Sequence, residues 1–356
     1  MIQRLHGKSW LSTVILTALL AILSVFSLFV GATEINISSL LSGGMELKIF
    51  LLARIPRLLA ILCTGIGMSV AGLIMQQLCM NKFVSPTTGA TIQSAQFGIA
   101  LAMAFFPTMG LWVRTLFAFA LAVAGTLAFV FFIQRIQVKD TVLVPLVGIM
   151  FGNIIGGVTN FISWQWEINQ QLNTYFSGSF ALIIQGNYEL VYLAVPLVIL
   201  AFLYANHFNI VGMGQDFSRN LGVNYNLILI LGLSIASVIT ASVIVIVGQI
   251  SYIGLIVPNL VALFKGDKIR GTLLDTALFG ALFVLICDIL ARSIIIPYEI
   301  PIELIVGIVG SMIFIAMLMY KLKHGKKAIR PGRHGHHHRR GHHRHHRHPK
   351  EAAGDA

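Results

Sequence analysis

Residues able to do chemistry are sparse in this chain, and the obvious constellations fail on spacing. His6-Gly7-Lys8-Ser9 carries the Gly-Lys-Ser of a phosphate-binding loop, but Ile2 stands where the loop needs its first glycine and no strand precedes it. No ATP site of that type is present. Asp275 and Asp288 are the acids nearest to where ion-coupled carriers keep their ionisable groups, at mid-bilayer. Both fall toward the ends of apolar runs, and Asp288 stands four residues before Arg292, the spacing of an ion pair on one helix face. The apolar body offers neither a nucleophile–base pair nor a His/Cys cluster at metal-ligand spacing. Near the C-terminus, His334 to His348 contains nine histidines interleaved with Arg339, Arg340, Arg344 and Arg347. Neutral imidazoles there, such as His336, His337, His338, His342 and His343, suit a weak transition-metal site. The arginines oppose a cation and favour anionic lipid headgroups, and lipid attraction is the preferred reading.

The elements that hold these residues follow from composition. Of 356 residues, 56% are hydrophobic and only 11% charged, with mean hydropathy +0.84. Soluble domains carry about 25% charge, so a water-soluble globule, a disordered chain and a nucleic-acid-binding domain are all disfavoured. The net charge of +12 sits mostly in residues 321–356, which leaves the body nearly neutral. Cys63, Cys79 and Cys287 lie in apolar stretches and form no disulfide framework; they read as small buried hydrophobes.

A membrane-crossing helix needs about 20 apolar residues, and backbone left unpaired in lipid is forbidden, so the apolar runs must be helices. Ten are expected, at about 10–31, 55–79, 88–106, 112–134, 141–163, 188–206, 226–247, 252–264, 272–292 and 302–322, the eighth being short for a span. The fold class is thus an all-α polytopic membrane protein, with residues 1–322 as the membrane domain and 323–356 as a disordered basic tail. With the N-terminus in the cytoplasm, nine basic residues before the tail fall inside (Arg4, Lys8, Lys82, Arg135, Lys139, Arg219, Lys265, Lys268 and Arg270) and five outside (Lys48, Arg54, Arg57, Arg114 and Arg292). Both termini are then cytoplasmic. Gly65, Gly67, Ala71 and Gly72 let another backbone approach the second span, and Gly148, Gly152 and Gly156 form one face of the fifth. That fifth-span face serves either packing within the chain or a pathway and dimer contact.

The longest polar segment between spans, about 207–226, contains Gly214-Gln-Asp-Phe-Ser-Arg-Asn-Leu-Gly222. Composition alone reads it as a solvated loop. It resembles the coupling segment of the ABC importer permeases for iron-siderophores and vitamin B12, the FecCD family. Arg54-Ile-Pro-Arg-Leu58, Asn81-Lys-Phe-Val-Ser-Pro86, Gly248-Gln-Ile-Ser-Tyr-Ile-Gly-Leu-Ile-Val-Pro258, Cys287-Asp-Ile-Leu-Ala-Arg292 and Glu299-Ile-Pro-Ile302 follow in the family's order. The resemblance covers roughly residues 10–322. Gln249, Asn259 and Met312 depart from the broad pattern, which often has Pro, His and Pro there; together with Phe83-Val-Ser-Pro-Thr-Thr88 they are similar to the ferric-siderophore branch of petrobactin-type and anguibactin-type permeases.

The resemblance implies the fold of a type II ABC importer permease in a bacterial cytoplasmic membrane. It implies no cofactor and no catalysis by this chain, with ATP hydrolysed on partner ATPase subunits. Gly214, Asp216, Arg219, Leu221 and Gly222 are the expected coupling residues. Arg54, Arg57 and Arg292, which singly would snorkel to headgroups, are expected to dock an extracytoplasmic siderophore-binding protein, a lipoprotein by expectation. A ferric siderophore would pass along the interface with a second permease subunit, a paralogue rather than a second copy, lined by Gly148, Gly152, Asn153, Gly156, Asn160, Gly307 and Gly310. Asn153 and Asn160 either bond neighbouring helices or face that path. The alternatives are an ion-coupled secondary transporter and a multi-span structural or sensory protein with a metal-binding tail.

Overall fold

The computed structural model describes residues 9–31, 45–136, 143–186, 188–266 and 269–328. The histidine-rich tail lies outside them. Among the described residues the chain is helical, with one isolated β-bridge between Ser177 and Gln249. The helices are α1 (Ser9–Phe29), α2 (Ile55–Leu78, entered through Met45–Ile49 and a π-helical turn Phe50–Arg54), α3 (Thr91–Phe105), α4 (Leu111–Ile136), α5 (Leu143–Gln165) and α6 (Asn169–Phe176). After a 3-10 turn at Glu189–Leu193 come α7 (Ala194–Val211), α8 (Gln215–Asn220), α9 (Tyr225–Val247), α10 (Ile253–Lys265), α11 (Ile269–Ser293) and α12 (Ile302–Ala328). Eight segments are long and apolar enough to cross a membrane, and α3 and α10 are shorter apolar helices. Together they coincide with the ten apolar runs. The chain divides into two compact units, Met1–Ala316 and Met317–Ala356, and α12 continues to Ala328, past the boundary at 322 read from the sequence.

Helix α2 is the centre of the first unit. Sixteen of its 24 residues are buried, so it is covered by helices rather than by lipid, against α7, α9, α10 and α11. Small residues make this possible. A Cβ on Gly65 would stand 2.5 Å from the Gly280 carbonyl of α11, one on Gly67 would meet Ile239 of α9 at 2.9 Å, and one on Gly72 would overlap the backbone of Gly254 in α10. Where backbones touch, dispersion replaces the hydrophobic drive that lipid-facing helices lack. Lipid-side α1 is the opposite case, with Ile15, Ile22, Val25 and Phe26 exposed.

Two polar clasps hold α1 to α11. At one end Thr13 Oγ1 donates to Asp275 Oδ1 at 2.7 Å, and Lys265 ion-pairs with the same carboxylate. At the other, Arg292 donates to the Ser27 carbonyl at 3.1 Å and to Ser27 Oγ at 2.5 Å. First residues lie with first and last with last, so α1 and α11 run in the same direction. That is what the first and ninth of ten alternating spans must do.

Helix α10 needs special support. Thirteen residues rise about 20 Å, less than the ~30 Å hydrocarbon core, and Pro258 inside it offers no N–H to the Gly254 carbonyl. Gln76 of α2 supplies the replacement donor, at 3.1 Å to Gly254 O and 3.3 Å to Leu255 O. Asn259 Nδ2 donates to Leu255 O and to Lys82 O, both at 2.7 Å. Thus the Asn81–Pro86 and Gly248–Pro258 motifs, far apart in sequence, are joined through one side-chain amide. The irregular stretch before α10 is closed by Gln249 N to Phe176 O and Ser179 N to Val247 O, each 2.9 Å. Tyr175 adds a bond from its hydroxyl to Val245 O at 2.5 Å, and burial pushes that phenol up to about 12, which keeps it a donor.

This packing predicts that Gly65→Val, which drives a β-branched side chain into the α11 backbone, costs at least about 1–3 kcal/mol and lowers the detergent-solubilised melting temperature by several degrees. Gly271→Ala, whose Cβ enters open space, leaves it unchanged. Thermal-shift size-exclusion chromatography of the two variants checks the contrast.

Candidate functional site

Three features carry the remaining chemistry, and α2 connects two of them. At the start of α2, Arg57 reaches Asp288 Oδ1 at 2.8 Å and both carboxylate oxygens of Glu299 at 2.8 and 2.9 Å. Arg292 pairs with Asp288 Oδ2 at 2.6 Å and donates to Val30 O at 2.8 Å. Arg54 bonds the same Val30 carbonyl. One buried carboxylate therefore sits between two guanidinium groups, a geometry that neutralises charge inside the membrane domain.

The cluster revises the sequence-based placement of Arg292. Its side chain is 3% exposed, so it lies inside the chain and not on an outer face. Buried hydrogen-bonding sites on α1 and the helical Asp288 draw it inward. Arg54 and Arg57 are partly exposed. The ion pair read from the four-residue spacing of Asp288 and Arg292 is present. With Asp275 bound to Lys265 and Thr13, both membrane-embedded aspartates are engaged in ion pairs.

At the other end of α2, Gln77 packs against Gly212, where α7 passes into α8. Helix α8 is bracketed by Gly214 at φ 108° and Gly222 at φ 73°, conformations that a Cβ disfavours. Ser218 is buried and anchors the turn, its hydroxyl donating to Gly214 O at 2.7 Å and Ile210 O at 3.2 Å. Met213, Phe217 and Leu221, four residues apart, are exposed, and Asp216 and Arg219 are exposed beside them. A short helix rigidly fastened on one side and apolar on the other is a docking knob. The sequence reading picked Leu221 but passed over Met213 and Phe217; their four-residue spacing was the available signal.

Between the ends, α5, α6 and the start of α12 border a half-open pocket of about 380 Å3, lined by Asn160, Asn169, Asn173, Gln249 and Glu303 among others. Gln96 and Gln249 close one wall through an amide–amide bond of 2.9 Å. Asn160 opens into this cavity and Asn153 is exposed on α5. Of the glycines read as a pathway face, Gly148 and Gly152 are filled by this chain's own atoms, from Thr88 and Phe129 and from Gln93. The packing reading applies to them. Gly156 and Gly307 have open space, while Gly310 packs on Ile256 and Tyr252. Among the described residues no group of three or more His, Cys, Asp or Glu is placed to hold a metal ion.

A multi-helix membrane body with an exposed apolar short helix and a half-open polar pocket is compatible with a transport permease. Residues 19–320 match the FecCD transport family, and the chain belongs to that family. It is 44% identical over 302 residues, 85% of this chain and 96% of the relative, to the petrobactin import system permease protein YclN of Bacillus subtilis. To the ferric-anguibactin transport system permease protein FatD of Vibrio anguillarum it is 35% identical, over 82% of this chain and 94% of that one. A solved metal-chelate type ABC transporter in an inward-facing conformation superposes with TM-score 0.72 at 25% identity, covering 87% of this chain and 98% of the other. The fold is that of an ABC importer permease, and the protein is a multi-pass membrane transport component.

The buried cluster predicts unequal costs for its two acids. Asp288→Asn leaves the buried Arg292 without a carboxylate, while Arg57 keeps only Glu299, and costs about 3–5 kcal/mol, visible as lost membrane abundance and a collapsed melting transition. Glu299→Gln, on a carboxylate 28% exposed, costs about 1 kcal/mol or less.

Proposed function

We propose that this chain is the permease subunit through which a ferric siderophore enters the cytoplasm, driven by ATP hydrolysis on a partner subunit. The observation that supports it most directly is the pairing of its relatives' named roles in petrobactin and anguibactin import with an exposed helix α8 fastened to the far end of the central helix. ATPase closure would push on Met213, Phe217 and Leu221, and the rigid anchoring of α8 by Ser218 and Gln77–Gly212 would pass that displacement to α2 and α7. Gly214 and Gly222 permit the turns, with Asp216 and Arg219 as polar contacts.

In this reading α8 and both termini are cytoplasmic, in a bacterial inner membrane, as the distribution of basic residues favours. Arg54 and Arg57 lie on the outer side, where an acidic face of a substrate-binding lipoprotein would meet them; Arg292 acts behind them by fixing Asp288, the partner of Arg57. The exposed faces of α5 and α12, with Ile154, Phe161, Leu304 and Ile308, meet a second permease subunit, a paralogue, and the path runs between the two past Asn153, Gly156, Asn160 and Gly307. The tail beyond residue 328 contacts anionic lipid.

Reconstitution in proteoliposomes with the partner permease, ATPase and binding protein tests the reading. Iron-55 siderophore uptake is expected to require ATP and the binding protein and to survive ionophores that collapse proton and sodium gradients; uptake abolished by those ionophores with ATP present overturns it. A second measurement addresses the knob. Leu221→Arg places a charge in the apolar stripe and is expected to cut ATPase co-purification at least tenfold with the permease still folded, whereas retained complex and transport would remove α8 from the coupling role.

A further inference from the structure

The cavity between α5, α6 and α12 has an uneven chemistry. Gln96, Asn160, Asn169, Asn173 and Gln249 present neutral amides, and Glu303 is the sole charged residue on its lining, which contains no lysine, arginine or histidine. Glu303 is anchored beside Gly178, its own N–H donating to the Gly178 carbonyl at 3.3 Å. No ion pair reaches Glu303 among the described residues, in contrast to Asp275, Asp288 and Glu299. An acid in the first turn of α12 gains from the helix dipole. That gain accounts for an acid at a helix start; it does not require the residue to line a polar cavity.

A partly buried carboxylate acts through a medium of lower dielectric than water, so its charge is felt across the cavity. An anionic ligand meets repulsion there, whereas a ligand bearing an ammonium gains a charge-assisted hydrogen bond. The amides suit the carbonyl and hydroxyl oxygens of the rest of such a molecule, and the volume falls in the range of small-molecule sites.

We propose that this cavity is a selectivity subsite in which Glu303 receives a protonated amine of the incoming iron chelate, so that amine-bearing chelates are favoured over anionic ones. The inference rests on the import reading above. It assigns to Glu303 a role distinct from coupling, docking and packing: Glu303 sorts the cargo by charge.

The test uses the complete importer in proteoliposomes and three iron-55 probes. These are ferrioxamine B, which carries a pendant ammonium; its N-acetylated derivative, which has the same iron-binding groups without that charge; and an anionic iron tris-catecholate. Wild type is expected to take up the ammonium form about tenfold faster than the acetylated form, the scale of one charge-assisted hydrogen bond. Glu303→Gln is expected to erase that ratio while basal ATPase activity and membrane abundance stay unchanged. Equal handling of the two hydroxamates by wild type, a ratio that survives Glu303→Gln, or preference for the tris-catecholate each overturns the subsite. Uptake of none of the three while the importer still takes up the ferric siderophore of the preceding assay overturns the subsite; loss of that uptake as well overturns the import reading itself.

Discussion

Lipid cannot hydrogen-bond a backbone, and most of what is unusual in this protein answers that constraint. Regular helices satisfy themselves, which is why ten apolar stretches account for the membrane domain. The interest lies where a helix is interrupted. Pro258 orphans a carbonyl in α10, and Gln76 from α2 supplies the donor. The irregular approach to α10 is stitched to the end of α6 through Gln249, Ser179 and Tyr175. Asn259 closes the turn after α2 by holding the Lys82 carbonyl. Each repair uses a neutral amide, hydroxyl or peptide group, which avoids the cost of a buried charge.

Charges obey the same rule in a stricter form. Asp288 lies between Arg57 and Arg292, and Asp275 between Lys265 and Thr13. Such arrangements specify which helices are neighbours more than they add stability, since a well-packed apolar substitute can do as well. Here the specification is concrete: one helix, α11, carries both acids, and the pairs locate α1, α2 and α10 against it. Glu303 stands apart because it is the charged residue of a cavity and has no cationic partner in it.

The spans were legible in the sequence because a run of about 20 apolar residues has few other solutions, and the short α10 was visible by its length. Gly65 and Gly72 were readable as close approaches because a missing side chain at helical spacing needs a partner. The depth of Arg292 was readable but not its rotation, and rotation decides whether an arginine at a helix end faces solvent or the neighbouring helix. Likewise the triplet Gly148, Gly152 and Gly156 shares a face in sequence, yet α5 leaves the cover of α3 and α4 partway along, so the first two are filled and the third is open. The Gln76–Gly254 and Gln96–Gln249 contacts join residues more than 150 positions apart, and no local pattern encodes them. Glu303 passed unremarked because an acid at the first turn of a helix has an ordinary explanation.

The attachment of α1 has a bearing on how the chain is made. Thr13 and Ser27 find their partners 262 and 265 residues later in the sequence, a wait of about 13–50 s at synthesis rates of ~5–20 residues per second. Throughout that interval α1 waits without its α11 partners, with only Arg54 at the entry to α2 bonding the Val30 carbonyl just past its end. It tolerates this because its polar groups are hydroxyls that can bond to their own helix, as Thr17 does to the Thr13 carbonyl. Helix α11 arrives with Asp288 and Arg292 one turn apart, already neutralising each other. The other acid of α11, Asp275, finds Lys265 ten residues earlier at the end of α10, so the final pairing with α1 can be made late, by lateral diffusion, after the rest of the bundle exists.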